Sequence, residues 1–102
     1  MSKIFKALSD PTRRRVLELL RDGPRTAGEL AEHFNFSKPT MSAHFTVLKE
    51  AGLIEGEKRG NQVVYDLKLS VLEDGLLGFA KIFGLGNEDA EAGTKEAVER
   101  PS

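Results

Sequence analysis

Between Ser37 and Leu48 the sequence SKPTMSAHFTVL interleaves small polar side chains with an apolar stripe, and it is the stretch best equipped for recognition chemistry. Met41, Phe45 and Leu48 stand at i, i+4 and i+7, helical spacing that turns them into a core and leaves Pro39, Thr40, Ser42, Ala43 and Thr46 facing outward. Hydroxyls and methyls on so slim a face can approach base edges and phosphates in a major groove, from which bulk or negative charge is excluded. A small polar face equally suits an ordinary solvated helix, so its neighbours decide. Lys58, Arg59, Gly60 and Asn61 gather two cations and an amide at a turn, placed either for phosphates and a minor groove or simply for water. Arg13, Arg14 and Arg15 are consecutive, and either pair with Asp10 or Glu18 in solvent or send one guanidinium to a phosphate. Of the two histidines, His33 has no ligand cluster around it and reads as a surface residue. His44 borders the buried stripe by helix phase, which fits a half-buried hydrogen-bonding role as well as a phosphate contact.

These residues need elements to hold them. Ser37 is an N-cap residue and Pro39 lies in the first turn, where a missing amide hydrogen costs nothing. Upstream, Thr26-Ala-Gly-Glu29 fits a capping box, so a helix with Leu30, Ala31 and Phe34 inward should begin there and reach Ser37 through a turn of three or four residues, the helix-turn-helix spacing. Asp10-Pro11 opens an earlier helix with Val16, Leu17, Leu19 and Leu20 as its core face, stopped by Asp22-Gly23-Pro24. Lys3 to Ser9 makes a short first helix with Ile4, Phe5 and Leu8 on one side. Downstream, Gly52 is a C-cap glycine, and Leu53–Lys58 and Gln62–Leu67 read as two strands around the Gly60-Asn61 turn. Ser70-Val-Leu-Glu73 has the form of another capping box, opening a last helix with Val71, Leu72, Leu76, Leu77, Phe79, Ala80, Ile82 and Phe83. The expected fold is mainly α with a small β-hairpin, a winged helix-turn-helix of order α-α-α-α-β-β-α.

The last helix carries more apolar surface than one core-facing stripe requires, in a body too small to bury it all. With Ile4, Phe5 and Leu8 also unassigned, the economical solution is a homodimer through first and last helices, its interface formed by Ile4, Phe5, Leu8, Val71, Leu72, Leu76, Phe79, Ala80 and Phe83. The other solution folds that surface back onto the chain's own core.

The 102 residues allow one domain, read as 1–84, followed by a polar acidic tail over 85–102 expected to be disordered. The net charge of −1 conceals an asymmetry: the tail holds five of the 16 acids and two of the 15 bases, leaving 13 bases against 11 acids in the body, about +2. There is no cysteine, which excludes disulfides, thiolate metal sites and cysteine nucleophiles. Neither histidine has a catalytic partner evident in the sequence, and no glycine-rich phosphate loop precedes a helix, so catalysis is not expected. No signal peptide opens the chain and no apolar run approaches the ~20 residues that span a bilayer, so a cytoplasmic protein is the default.

Taken together, ALSDPTRRRVLELL, TAGELAEHFNFSKPTMSAHFTVLKEAGLI and the hairpin RGNQVVYDL resemble, in order and spacing, the ArsR-type winged-helix repressors of bacteria and archaea, over roughly residues 3–84. The ending VLEDGLLGFAKIFGLG and the form SKPTMSAHF look most like the autorepressor subgroup related to the sporulation-delaying system. The resemblance implies a homodimer that binds a palindromic double-stranded DNA operator near its own promoter. Its DNA-contacting helix falls on Ser37 to Leu48, with Lys38, Thr40, Ser42, Ala43, His44 and Thr46 at the contact positions. With Ser37, Pro39 and the wing residues Lys58, Arg59 and Asn61, these make the expected DNA-binding set. Ala43 stands where many relatives place arginine or histidine, and it can touch a thymine methyl but cannot make a bidentate guanine contact.

Thr26, Ala27 and Gly28 occupy the positions of the Cys-Val-Cys of arsenic and cadmium sensors, and the last helix offers Glu73 and Asp74 without the histidines of zinc sensors. No metal, metal sensing or cofactor is therefore expected. The relieving signal is then an unidentified small molecule, a sequestering protein, or nothing beyond protein concentration. The alternative function is a winged-helix protein-interaction module without sequence-specific DNA binding.

Overall fold

The computed structural model describes residues 2–85, so all of the expected acidic tail except Leu85 lies outside the described residues. Two compact units divide the chain, Met1–Val71 and Leu72–Ser102.

In the first unit, α1 (Lys3–Leu8) and α2 (Pro11–Leu20) meet at Asp10, whose carboxylate accepts from the amides of Thr12 and Arg13 at 2.8 and 3.1 Å. Proline at the first helical position completes the expected start, since its missing N–H would have had no intrahelical partner. Val16, Leu17, Leu19 and Leu20 are all buried. The capping box expected at Thr26 is formed in both directions: Glu29 N–H donates to Thr26 Oγ1 at 3.0 Å and Thr26 N–H to Glu29 Oε1 at 2.8 Å. It opens α3 (Ala27–Ala31), which is shorter than the sequence implies. After Ala31 the backbone tightens, with His33 N–H donating to Leu30 and Phe34 N–H to Ala31, so that Asn35, Phe36 and Ser37 complete the turn. Phe34 is consequently half-buried, and Leu30 alone of the expected inward trio is fully buried.

The next helix, α4 (Lys38–Glu50), buries Met41, Phe45 and Leu48 and ends in a Schellman motif. Gly52, at φ +77°, donates to the Lys49 carbonyl and Leu53 N–H to that of Leu48. Leu48 and Leu53 are each 0% exposed, so the hydrophobic contact that accompanies this cap is also the centre of the core.

The sheet has one strand more than the sequence suggests. Strands β2 (Ile54–Arg59) and β3 (Gln62–Leu67) form the expected hairpin, with Arg59 facing Gln62 across the Gly60-Asn61 turn. Gly60 has φ +62° and Asn61 does not have positive φ, the pattern of a turn with glycine at its first central position. On the other edge of β3 lies β1 (Arg25–Thr26), antiparallel, pairing Arg25 with Tyr65 and Thr26 with Val64, so the order is β1-β3-β2. This two-residue strand makes the observed order α-α-β-α-α-β-β-α and ties the start of α3 to the hairpin. Tyr65, 6% exposed, packs its ring on Phe45 of α4 at a centroid distance of 4.8 Å.

The final helix, α5 (Leu69–Ile82), starts one residue before the expected cap, which makes Ser70 a first-turn residue and not the N-cap. The chain is pinned just upstream, where Lys68 N–H donates to the Leu53 carbonyl at 2.8 Å, while the Lys68 carbonyl accepts from Val71 N–H. In the second unit Leu76, Leu77, Phe79, Ile82, Phe83 and Leu85 are exposed, and no residue of α5 is buried. Phe79 and Phe83 meet edge to face at 5.1 Å.

Candidate nucleic-acid interface

The outward face of α4 has the composition the sequence implies. Lys38, Pro39, Thr40, Ser42, Ala43 and Thr46 are exposed, while Met41, Phe45 and Leu48 anchor the opposite side. Ser37 caps the helix through the Thr40 amide at 3.3 Å, and its hydroxyl also donates to Thr40 Oγ1 at 3.0 Å. Thr40 is therefore oriented before any ligand arrives, because its oxygen already accepts one bond while its own hydrogen remains free to donate.

Three of the expected recognition residues come together around one cleft. Lys38 and Ser42 of α4 and Asn61 of the hairpin tip line a space of about 360 Å³, with Met41, Phe45, Ala31 and Val63 at its apolar floor and Ala27 and Gly28 beside them. Gln62, which the sequence reading left out, lines it too. It occupies the first position of β3 after the tip, and its polar type at a strand start beside Asn61 was the available signal. Arg59 is not part of this group. It lines a second groove, with Glu55, Glu57, Val64 and Asp66, and its guanidinium is bound to Glu57 at 2.9 Å. That pair is well exposed and so worth little on its own, but a phosphate must compete with Glu57 for Arg59. Lys58 is exposed and has no ion-pair partner among the described residues.

The arginine triplet divides its work in a way the sequence did not reveal. Arg15 pairs with Glu18 at 2.6 Å, as one of the expected readings has it. Arg14 donates to the Leu8 carbonyl at 2.7 Å, and Arg13 donates to the carbonyls of Ala7 at 2.9 Å and Lys6 at 2.9 Å. Two cations near the positive start of α2 thus cap the negative end of α1, which offsets the unfavourable dipole at their own helix.

Arg13 also reaches the recognition helix: its NH1 stands 3.1 Å from His44 Nδ1. Asp10 Oδ2 lies 3.9 Å from the same nitrogen, and the Phe36 ring stands 6.1 Å away, tilted. The His44 side chain is 16% exposed. Burial pushes the Asp10 carboxyl upward, but the Arg13 amide, the neighbouring His44 ring, the Thr12 amide and the Arg13 charge together hold it below its ordinary 3.8. Among the described residues no three histidine, aspartate or glutamate side chains come together as a metal site, and no helix is long and apolar enough to cross a membrane.

Comparison with known proteins adds three kinds of likeness. A helix-turn-helix domain family matches residues 8–57. The chain is 44% identical to the transcriptional repressor SdpR of Bacillus subtilis, over 87% of this chain and 99% of that one. It is 42% identical to the arsenical resistance operon repressor of Staphylococcus xylosus, over 72% and 70% of the two chains. Among solved structures, an ArsR family transcriptional regulator superposes with a TM-score of 0.68 at 33% identity, covering 79% of this chain and 87% of that one. An ArsR-like transcriptional regulator from Rhodococcus sp. RHA1 gives 0.70 at 29% identity, covering 78% and 73%.

Proposed function

The chain belongs to the ArsR-type family of winged helix-turn-helix regulators, and from that premise we propose that it acts as a homodimer on a palindromic operator, including one at its own promoter. It is a DNA-binding transcriptional repressor, not an enzyme. The observation that carries the proposal is the cleft where Lys38 and Ser42 of α4 meet Asn61 of the wing, because it gathers a cation, a hydroxyl and an amide around one opening, groups that suit base edges and flanking phosphates.

In this reading Ser37, Lys38, Pro39, Thr40, Ser42, Ala43, His44 and Thr46 face the major groove and its backbone. Lys58, Arg59 and Asn61 follow the adjacent phosphates. The two α4 helices of a dimer enter successive major grooves ~34–36 Å apart, which makes association a geometric requirement of recognition. The unburied apolar side chains Leu76 and Phe79 of α5 and Phe83 just after it support an interface with the last helix of a second copy, together with half-buried Ile4, Phe5 and Leu8 of α1. Residues 1–84 then act as one DNA-binding and dimerisation domain, working in the cytoplasm.

Repression in this reading does not respond to metal. Thr26 Oγ1 is committed to the Glu29 amide, and Ala27 and Gly28 offer no ligand side chain. Stoichiometric zinc should leave operator affinity unchanged, and weakened binding would overturn this part of the proposal.

The test is fluorescence anisotropy on the upstream region of the protein's own gene, with scrambled DNA as competitor, across a salt series. Tight binding that falls steeply with salt and prefers the upstream sequence is expected. Absence of DNA binding with retained binding to a protein partner would favour the interaction module instead.

A further inference from the structure

Among the described residues, His44 is the one residue of α4 that contacts charged groups of another element, and the chemistry of its contact with Arg13 points to one tautomer. An arginine guanidinium has donors and no acceptor. The 3.1 Å approach of Arg13 NH1 to His44 Nδ1 is therefore a hydrogen bond only when Nδ1 carries a lone pair. In the neutral ring the proton then sits on Nε2, for which no partner exists among the described residues. Arg13 is itself held rigidly, with Nε on the Ala7 carbonyl and NH2 on that of Lys6.

We propose that Arg13 is a positioning residue for DNA recognition: anchored on the end of α1, it holds His44 as the Nε2–H tautomer, and that N–H donates to a backbone phosphate. Asp10 caps α2 through the Arg13 amide, and its Oδ2 lies 3.9 Å from His44 Nδ1. The charged groups facing the ring among the described residues are these two, both from the start of α2. The end of α1 contributes only carbonyls through Arg13, and the turn before α4 contributes the Phe36 ring. Protonation of Nδ1 would set a second cationic donor against the guanidinium at 3.1 Å and break the tie between α2 and α4.

The inference rests on the DNA-binding reading for its last step, but its first step can be read without DNA. In long-range proton–nitrogen spectra of the full chain at neutral pH, His44 should show a proton on Nε2 and a lone pair on Nδ1. An Nδ1–H tautomer or an imidazolium would overturn the inference while leaving the repressor reading intact. The phosphate contact is then tested on operator DNA with two substitutions, which also avoid removing the α1 cap that Arg13 supplies. His44→Gln keeps a donor near the Nε2 position and should stay within about threefold of wild type. His44→Asn can place an acceptor near Nδ1 but has no donor at the Nε2 position, and it should bind about tenfold more weakly on all sequences, with an unchanged salt slope because the lost group is neutral. A salt slope reduced by about one in His44→Asn would mean that His44 binds phosphate as a cation and would overturn the proposal.

Discussion

Arg59 is bound to Glu57 at 2.9 Å, so in the proposed complex a phosphate competes with that carboxylate for its guanidinium. Glu57→Gln releases the guanidinium and should tighten binding to every sequence severalfold, whereas Arg59→Ala should weaken all sites alike and lower the salt slope by about 1. Titrations of both variants at several salt concentrations check this, and an Arg59→Ala slope equal to wild type would remove Arg59 from the interface. Thr40 and Ser42 carry no charge, and the proposed complex puts them on base edges instead. Replacing Ser42 with alanine should cost about 1 kcal/mol of discrimination at one base pair, read from a panel of single-base operator variants. Asp10 bears on stability. Its native pKa lies below 3.8, so the unfolded chain binds the proton more readily, and the carboxylate stabilises the fold above that value and loses this as pH falls through the native one. Thermal melts should show Asp10→Ala about 1 kcal/mol less stable at neutral pH, with the gap narrowing below about pH 4.

At the level of elements, local chemistry set most boundaries. Asp10-Pro11, the Thr26–Glu29 box, Ser37 and Gly52 each act within a turn of their own helix, and each is where the sequence places it. What the sequence hid is non-local. The partner of β1 lies some forty residues downstream, and two residues carry no period to detect. The Arg13 and Arg14 caps on α1 depend on the angle at which two helices meet, which no spacing encodes. Ser70-Val-Leu-Glu73 matched a capping pattern, yet the hydrogen bond from Lys68 to Leu53 pins the chain so that the helix begins earlier. Part of the candidate site is legible on the same terms: the exposed face of α4 follows from its period, whereas the grouping of Gln62 with Lys38 and the contact of His44 with Arg13 require the fold. Gly52 tests the local side. A Cβ there would meet only Val71 Cγ1 at 3.8 Å, an ordinary contact, so the penalty of Gly52→Ala is the φ of +77° alone. About 1 kcal/mol is expected, a drop of roughly 4–8 °C in Tm by calorimetry.

For the whole molecule, the governing fact is that one recognition helix reads too little DNA to be specific, while α5 presents Leu76, Phe79 and Phe83 with no residue of the helix buried. A charge placed there, as in Leu76→Glu with Phe83→Glu, should leave the first unit folded by circular dichroism and yield monomers in sedimentation. Operator affinity should fall by roughly tenfold or more. The chain's net charge of −1 makes this dependence sharper, because general attraction to DNA cannot substitute for paired, oriented contacts. Footprinting the purified protein on the DNA upstream of its own gene tests the central claim most directly. Two protected half-sites related by dyad symmetry, centred ~10–10.5 base pairs apart or a multiple of that and filled together as protein is raised, are the predicted result. A single unpaired site, or protection that ignores sequence, would contradict it.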